Sequence, residues 1–277
     1  AQHIAKKLHA SGYNYCDYEQ RPGYFPKAQC QAYNYGVYSA RYCNIYTVRQ
    51  LRQTIERAFG LRPYKNLCWD KKGGFVDPFR PVLEPEPFGS VAEMNASREG
   101  HYRAVRRVFS ESDVFIFTMG LTEAWIDADT GDVYPLCPGT QGGTFDEAKH
   151  KFHNFGFVEI VDDLNWILDF LKSHNPDIRM LLTVSPVPLV ASASGQHVLP
   201  ATVYSKSVLR AVAGHMYSEH AQVDYFPSFE IASTHPFKGL VFEPNQREVN
   251  LAGVDFIMTH FFDQHPALQV TQKAAPK

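Results

Sequence analysis

The chain has 277 residues, 44% hydrophobic and 20% charged, with a formal net charge of −2 at pH 7. That balance belongs to an ordinary globular protein. It excludes a strong electrostatic footprint for nucleic acid or an anionic membrane, and no apolar run approaches the roughly 18–20 residues of a membrane span.

Residues 3–10 read as a helix, with Ile4 and Leu8 four apart and Ser11-Gly12 as its stop. The chain starts at Ala1 and not at Met, so a preceding segment is expected. Residues 13–46 are polar, aromatic and broken by Pro22, Gly23 and Pro26, the signature of loops. Thr47 is the expected N-cap of a helix whose apolar positions are Val48, Leu51, Ile55 and Phe59, ending at Gly60. Residues 61–89, rich in proline and glycine, read as a long irregular excursion outside the core. Ser90 with Glu93 fits a capping box at the head of a helix running to Ser110. Gly100 is expected to break that helix in two. Tyr102, Val105 and Phe109 should face inward, and Arg103, Arg106 and Arg107 outward to solvent.

Asp113 to Met119 is short, apolar and rich in β-branched and aromatic residues, as in a strand buried on both faces. Gly120 then allows a sharp turn or a close approach. Residues 128–156 form a third loop insertion, with a turn at Gly131-Asp132 and loop residues His150 and His153. Phe157 to Lys172 is a helix with Val158, Val161, Leu164, Ile167, Leu168 and Leu171 on one stripe. Asn175-Pro176 stops it. Ile178–Val184 is a second buried strand, residues 190–198 a small-residue loop, Pro200 to about His220 a helix, and Val223–Phe226 a third strand. Asn250 caps a last helix through Val254, Ile257, Met258 and Phe261.

Helices alternate with strands, which predicts an α/β layered fold with a mostly parallel sheet, read as a single domain over 1–277. Ligands of such sheets bind beyond the carboxyl ends of the strands. Those ends carry Gly120, Thr122 and Glu123 after the first strand, Ser185 after the second, and Glu230, Asn245, Arg247 and Glu248 after the third. A glycine N–H and an asparagine amide, here Gly36 and Asn44 of the early loop, are the donors that an oxyanion hole needs. There is no Gly-x-Ser-x-Gly elbow, Walker loop or Gly-x-Gly-x-x-Gly after a strand. Adjacent helix residues do not face each other, which disfavours Ser205 and Lys206 as a working pair. Five widely spaced cysteines argue for a reducing, cytoplasmic setting rather than a disulfide framework. None has zinc-ligand spacing, and His150 with His153 lacks a carboxylate partner, so no metal or other cofactor is expected. The 15 tyrosines read first as core and loop packing, and second as the lining of a sugar groove.

Five stretches together resemble the family named for its Gly-Ser-Cys-Phe-Ala (GSCFA) motif, which belongs with the SGNH-type hydrolases. They are residues 35–47 (Tyr-Gly-Val-Tyr-Ser-Ala-Arg-Tyr-Cys-Asn-Ile-Tyr-Thr), 117–125 (Phe-Thr-Met-Gly-Leu-Thr-Glu-Ala-Trp), 183–189, 204–210 and 224–231. The resemblance implies a flavodoxin-like three-layer α/β/α sandwich and a serine nucleophile at the turn after the first strand. It aligns Ala1 with the last residue of the naming motif, so that serine and that strand are expected upstream. Gly36 corresponds to the second-block glycine and Asn44 to a further donor. Gly120-Leu-Thr-Glu123 stands where SGNH enzymes carry Gly-x-Asn-Asp, so Thr122 or Glu123 replaces the usual asparagine. Asn245-Gln-Arg-Glu248 replaces the usual Asp-x-x-His, so acid and base are both absent there. Glu123, Glu248 and His153 are the remaining candidate catalytic groups, with Ser185 and Arg247 as binding candidates. The implied function is a serine ester hydrolase or O-acyltransferase acting on a small-molecule or carbohydrate ester. The alternative is a degenerate module that binds a glycan or acyl group without turnover.

Overall fold

The structure, a computed structural model, describes residues 2–266 except 66, 236 and 238. Ala1, which the resemblance aligns with the naming motif, lies outside the described residues, as do residues 267–277. The fold is built on a parallel sheet of three strands, β3 (Val114–Met119), β7 (Arg179–Val184) and β8 (Val223–Tyr225), in the order β3-β7-β8. Phe117 pairs with Leu182 and Leu182 with Tyr225, so the carboxyl ends of the strands lie side by side.

Period-2 alternation sends the side chains of this sheet to two covered faces. Phe117, Met119, Met180, Leu182, Val184 and Val223 join the main core. That core includes residues of α2 (Val48–Ala58), α3 (Val91–Glu111), α4 (Phe157–His174) and α5 (Val198–Glu219). Leu181 and Ile116 point the other way, into a second cluster with α1 (Gln2–Ala10), α6 (Ser228–Ser233) and α7 (Leu251–Gln264). The fold is therefore α/β with helices on both faces of the sheet. Among the described residues, no helix is long and apolar enough to cross a membrane.

The helix starts obey their capping chemistry. Thr47 accepts from the Gln50 N–H at 3.2 Å, Ser90 from Glu93 N–H at 3.1 Å and Asn250 from Gly253 N–H at 2.7 Å. Each satisfies an N–H that has no partner inside its helix.

Five expectations need correction. Gly100 does not break α3, which runs unbroken for 21 residues. The cost of a mid-helix glycine, about 1 kcal/mol, is small beside the burial of Met94, Tyr102, Val105 and Phe109 on the same helix. Val158 is not on the buried stripe of α4 but 68% exposed, and Ile160 is buried instead. His150 and His153 are not loop residues. They lie in β6 (His150–Asn154), which with β5 (Val133–Tyr134) flanks β4 (Glu123–Asp127) in an antiparallel sheet, order β5-β4-β6. The 61–89 excursion is not outside the core either. It contains the hairpin β1 (Trp69–Lys71) and β2 (Gly74–Val76), and it buries Asp77, Phe79, Arg80, Leu83 and Phe88. Of the three arginines expected to be solvated on α3, Arg106 is half-buried and donates to the Ala58 carbonyl.

Candidate functional site

The turn joining β3 to β4 stands at the carboxyl rim of the parallel sheet, and three segments converge on it. The Tyr46 carbonyl, one residue before the cap of α2, accepts from the N–H of Gly120 at 3.2 Å and of Leu121 at 2.8 Å. The approach is close: a Cβ on Gly120 would lie 3.0 Å from the Tyr46 oxygen. This is the physical reason for glycine there. From the other side α5 contributes two consecutive residues. The Lys206 ammonium donates to the Gly120 carbonyl at 2.6 Å, and the Ser205 hydroxyl accepts from the Thr122 N–H at 3.0 Å. The Ser185 N–H donates to Met119 O at 2.9 Å, bringing the end of β7 alongside.

Gly120, Thr122, Ser185 and the 44–46 segment are thus brought together as the sequence suggests. Their roles differ. Thr122 is fully buried, its N–H is taken by Ser205, and its hydroxyl has no hydrogen-bond partner. The Gly120 N–H is likewise taken. These groups shape the turn and have no N–H to offer a ligand. Among the described residues, the N–H of Gly36 and the side chain of Asn44 take no hydrogen-bond partner. Asn44 is half-buried, and its carbonyl accepts from Gln50 Nε2 at 2.8 Å. Gly36 sits at φ +66°, in the left-handed region where glycine is favoured. Its loop leans on the 82–83 stretch through Asn34 Nδ2 bonds to Val82 O and Leu83 O.

Glu123 opens β4 directly after the turn. Its Oε1 accepts from the Ser192 hydroxyl at 2.8 Å, and Ser192 pairs with Ser194 at 2.7 Å. Burial pushes its carboxyl above the ordinary value, with the Ser192 hydrogen bond working against that rise. His153 pairs with Ala124 and Asn154 with Glu123 across β4 and β6. Alternation therefore places Glu123 and His153 on opposite faces of that small sheet, and the two do not form an acid–base pair. His153 Nε2 meets Glu159 Oε1 at 2.9 Å, and Glu159 Oε2 caps the start of α4 through Gly156 N–H. None of the hydrogen bonds made by a described histidine side chain reaches the rim turn. Arg247 and Glu248 lie on an exposed turn that closes on itself. The Asn245 side-chain oxygen accepts from the N–H groups of Arg247 and Glu248, at 2.9 and 3.0 Å, and no Arg247–Glu248 ion pair forms among the described residues. Glu230 anchors its surroundings, accepting from the Tyr225 hydroxyl and from Arg210.

The sequence reading missed Ser205 and Lys206 as parts of the rim. They do not face each other, as helix geometry requires, but both face the same third element. The one local hint was the polar run Ser205-Lys-Ser207 between Val203-Tyr204 and Val208-Leu209.

A model of the GSCFA family matches residues 1–261. The chain belongs to the GSCFA family. A search of curated proteins finds no match. All five stretches that carry the resemblance are built into this GSCFA fold at the rim or beside it, the 224–231 stretch through the Ser228 hydroxyl, which donates to the Val184 carbonyl at 3.1 Å. Residues 44–46 contact the turn, 117–125 form the turn with β3, 183–185 end β7, and Ser205 and Lys206 of the 204–210 stretch hold the turn from α5.

Proposed function

We propose that this GSCFA chain forms one SGNH-like domain, a flavodoxin-like α/β/α sandwich over 1–277. We propose further that it serves as a serine ester hydrolase or O-acyltransferase, with a carbohydrate or other small-molecule ester as substrate. The observation that supports this most is the gathering of family-matching segments at the carboxyl rim of a parallel sheet, the edge where such sheets bind ligands. In this reading the hydroxyl of the motif serine attacks the ester carbonyl, the alcohol leaves with a proton, and the acyl-serine passes its acyl group to water or to an acceptor hydroxyl. Gly36 N–H and the Asn44 amide, the unengaged donors, stabilise the oxyanion. Of Glu123, Glu248 and His153, Glu123 has the strongest claim to proton transfer, because it follows the rim turn directly and its carboxylate accepts from the Ser192 hydroxyl. Ser185 and Arg247 contact the substrate.

The test is labelling of the full-length natural protein with a fluorophosphonate, combined with turnover of aryl acetates and acetylated sugars. A covalent adduct on a serine and hydrolysis above buffer are expected. Neither would be seen if the reading is wrong.

A second reading, binding of a glycan or acyl group without turnover, is favoured by the 245–248 turn. There the Asn245 side chain is spent on its own backbone, and the usual acid and base are replaced. Saturable binding of an acetylated sugar without any product would establish it.

A further inference from the structure

Among the described residues, Lys206 is the one buried cation that bonds the rim turn, and it stands apart from the other buried charges described above. It is 2% exposed, and among the described residues its single hydrogen-bond partner is the Gly120 carbonyl. No carboxylate forms an ion pair with it among the described residues. The charged groups on neighbouring segments are engaged elsewhere: Glu123 with Ser192, Arg49 with Asp163, and Glu159 with His153 and Gly156 N–H. A lone ammonium is costly to bury, so replacing it by an apolar residue would be the cheaper way to fill the space. Its position explains what the lysine supplies instead. The peptide joining Gly120 to Leu121 is held between two grips, the Leu121 N–H by the Tyr46 carbonyl and the Gly120 carbonyl by Lys206, while Ser205 takes the next N–H at Thr122. A peptide unit held at both its donor and its acceptor has a fixed plane.

We propose that Lys206 is a positioning residue of the rim: acting through the Gly120 carbonyl, and with Ser205 acting through Thr122 N–H, it fixes the turn that leads into Glu123. The proposal deepens the reading of the rim as a reaction site, and it assigns Lys206 no contact with substrate. A charge-assisted bond is about twice as strong as a neutral one, so the grip is tightest on the protonated amine. Burial pushes the lysine down to about 7. The grip is therefore firm below that pH and relaxes as pH rises through it.

The test is a pH titration of the amide resonances of Gly120, Leu121 and Thr122 in isotopically labelled protein, alongside the Lys206 Nζ signal. In the natural sequence the Gly120 and Leu121 amides are expected to move together with a midpoint near 7, matching Nζ. Lys206→Met should abolish that movement, and Ser205→Ala should shift Thr122 while leaving the midpoint in place. Static amides in the natural protein, or the same titration persisting in Lys206→Met, would overturn the proposal. If Lys206→Met fails to fold, Ser205→Ala and the direct Nζ titration still decide it. Where ester turnover is found, Lys206→Met should lower kcat about tenfold or more with KM changed less than twofold, a split expected of a residue that shapes the transition-state site. Absence of turnover would count against the reaction, while the amide titration would still decide the role of Lys206.

Discussion

Two regions of this protein bury charge, and they do so in opposite ways. Under the irregular 61–89 excursion every buried charge has a partner. Asp77, with no exposed side-chain surface, accepts from Arg80 at 2.9 Å and Arg98 at 2.8 Å. Glu19 accepts from Arg41 N–H at 2.8 Å and meets His101 at 2.7 Å. Arg57 pairs with Asp132 and lies over the Phe79 ring, its guanidinium carbon 3.6 Å from the centroid. At the rim, Lys206 is buried against a single carbonyl. The first arrangement ties loops to helices: Asp77 links the excursion to α3 through Arg98. The second leaves a charge uncompensated at a turn that the rest of the fold goes to some length to hold. Paired charges mark where irregular chain is made rigid, and the lone ammonium marks the rim turn that we propose it positions.

If that contrast is right, breaking a pair should cost far more than removing the lone charge. Asp77→Asn strands two guanidinium groups in the interior and should lower unfolding stability by about 3–5 kcal/mol, read as a fall in the urea midpoint at unchanged slope. Gly120→Ala comes next: the added methyl meets backbone oxygen at 3.0 Å, and overpacking of that kind costs about 1–3 kcal/mol. Lys206→Met should change stability by less than about 1 kcal/mol or raise it, since a buried charge is exchanged for an apolar chain. A large loss in Lys206→Met, equal to that of Asp77→Asn, would erase the distinction.

The paired region also predicts an acid response. Burial alone would raise the Glu19 carboxyl, but His101, Arg80 and the Arg41 N–H outweigh it and hold it at about 2, below the ordinary 4.5. The folded state therefore binds fewer protons than the unfolded state over that interval. Its contribution is complete above pH 4.5 and is lost as pH falls from there toward 2. Urea midpoints at several pH values in that window should fall less steeply in Glu19→Gln than in the natural protein. The smallest effect belongs to Arg107, whose pair with Glu111 at 2.8 Å lies on the exposed face of α3. Arg107→Ala should leave the melting curve unchanged, as exposed pairs usually do.

The same contrast explains what could be read in the sequence. Regular elements were legible because their signals are local. Thr47, Ser90 and Asn250 announce helix starts, and the run from Val114 to Met119 announces the strand that places the rim. The 61–89 excursion was misread because its burial depends on partners far along the chain: Asp77 is inside only because Arg98 is there to meet it. The β6 strand was missed because it exists only by pairing with β4, residue for residue from Glu123 with Asn154 to Asp127 with His150. At the site, Gly120, Thr122 and Ser185 were legible as strand-end residues. Lys206 was not, because periodicity says which way a helix residue points and not which turn of another element it meets. That Glu123 and His153 fall on opposite faces also needed the register of β4 on β6.

In the proposed function the working edge of the sheet is its carboxyl rim, not the groove of ≈ 380 Å³ beside Arg210, Tyr217 and Tyr225. Titrating isotopically labelled protein with an acetylated monosaccharide and mapping the shifted amides tests this most directly. Shifts are expected at residues 36, 44–46, 120–123 and 185. Shifts confined to residues 210–225, with the rim unmoved, would contradict it.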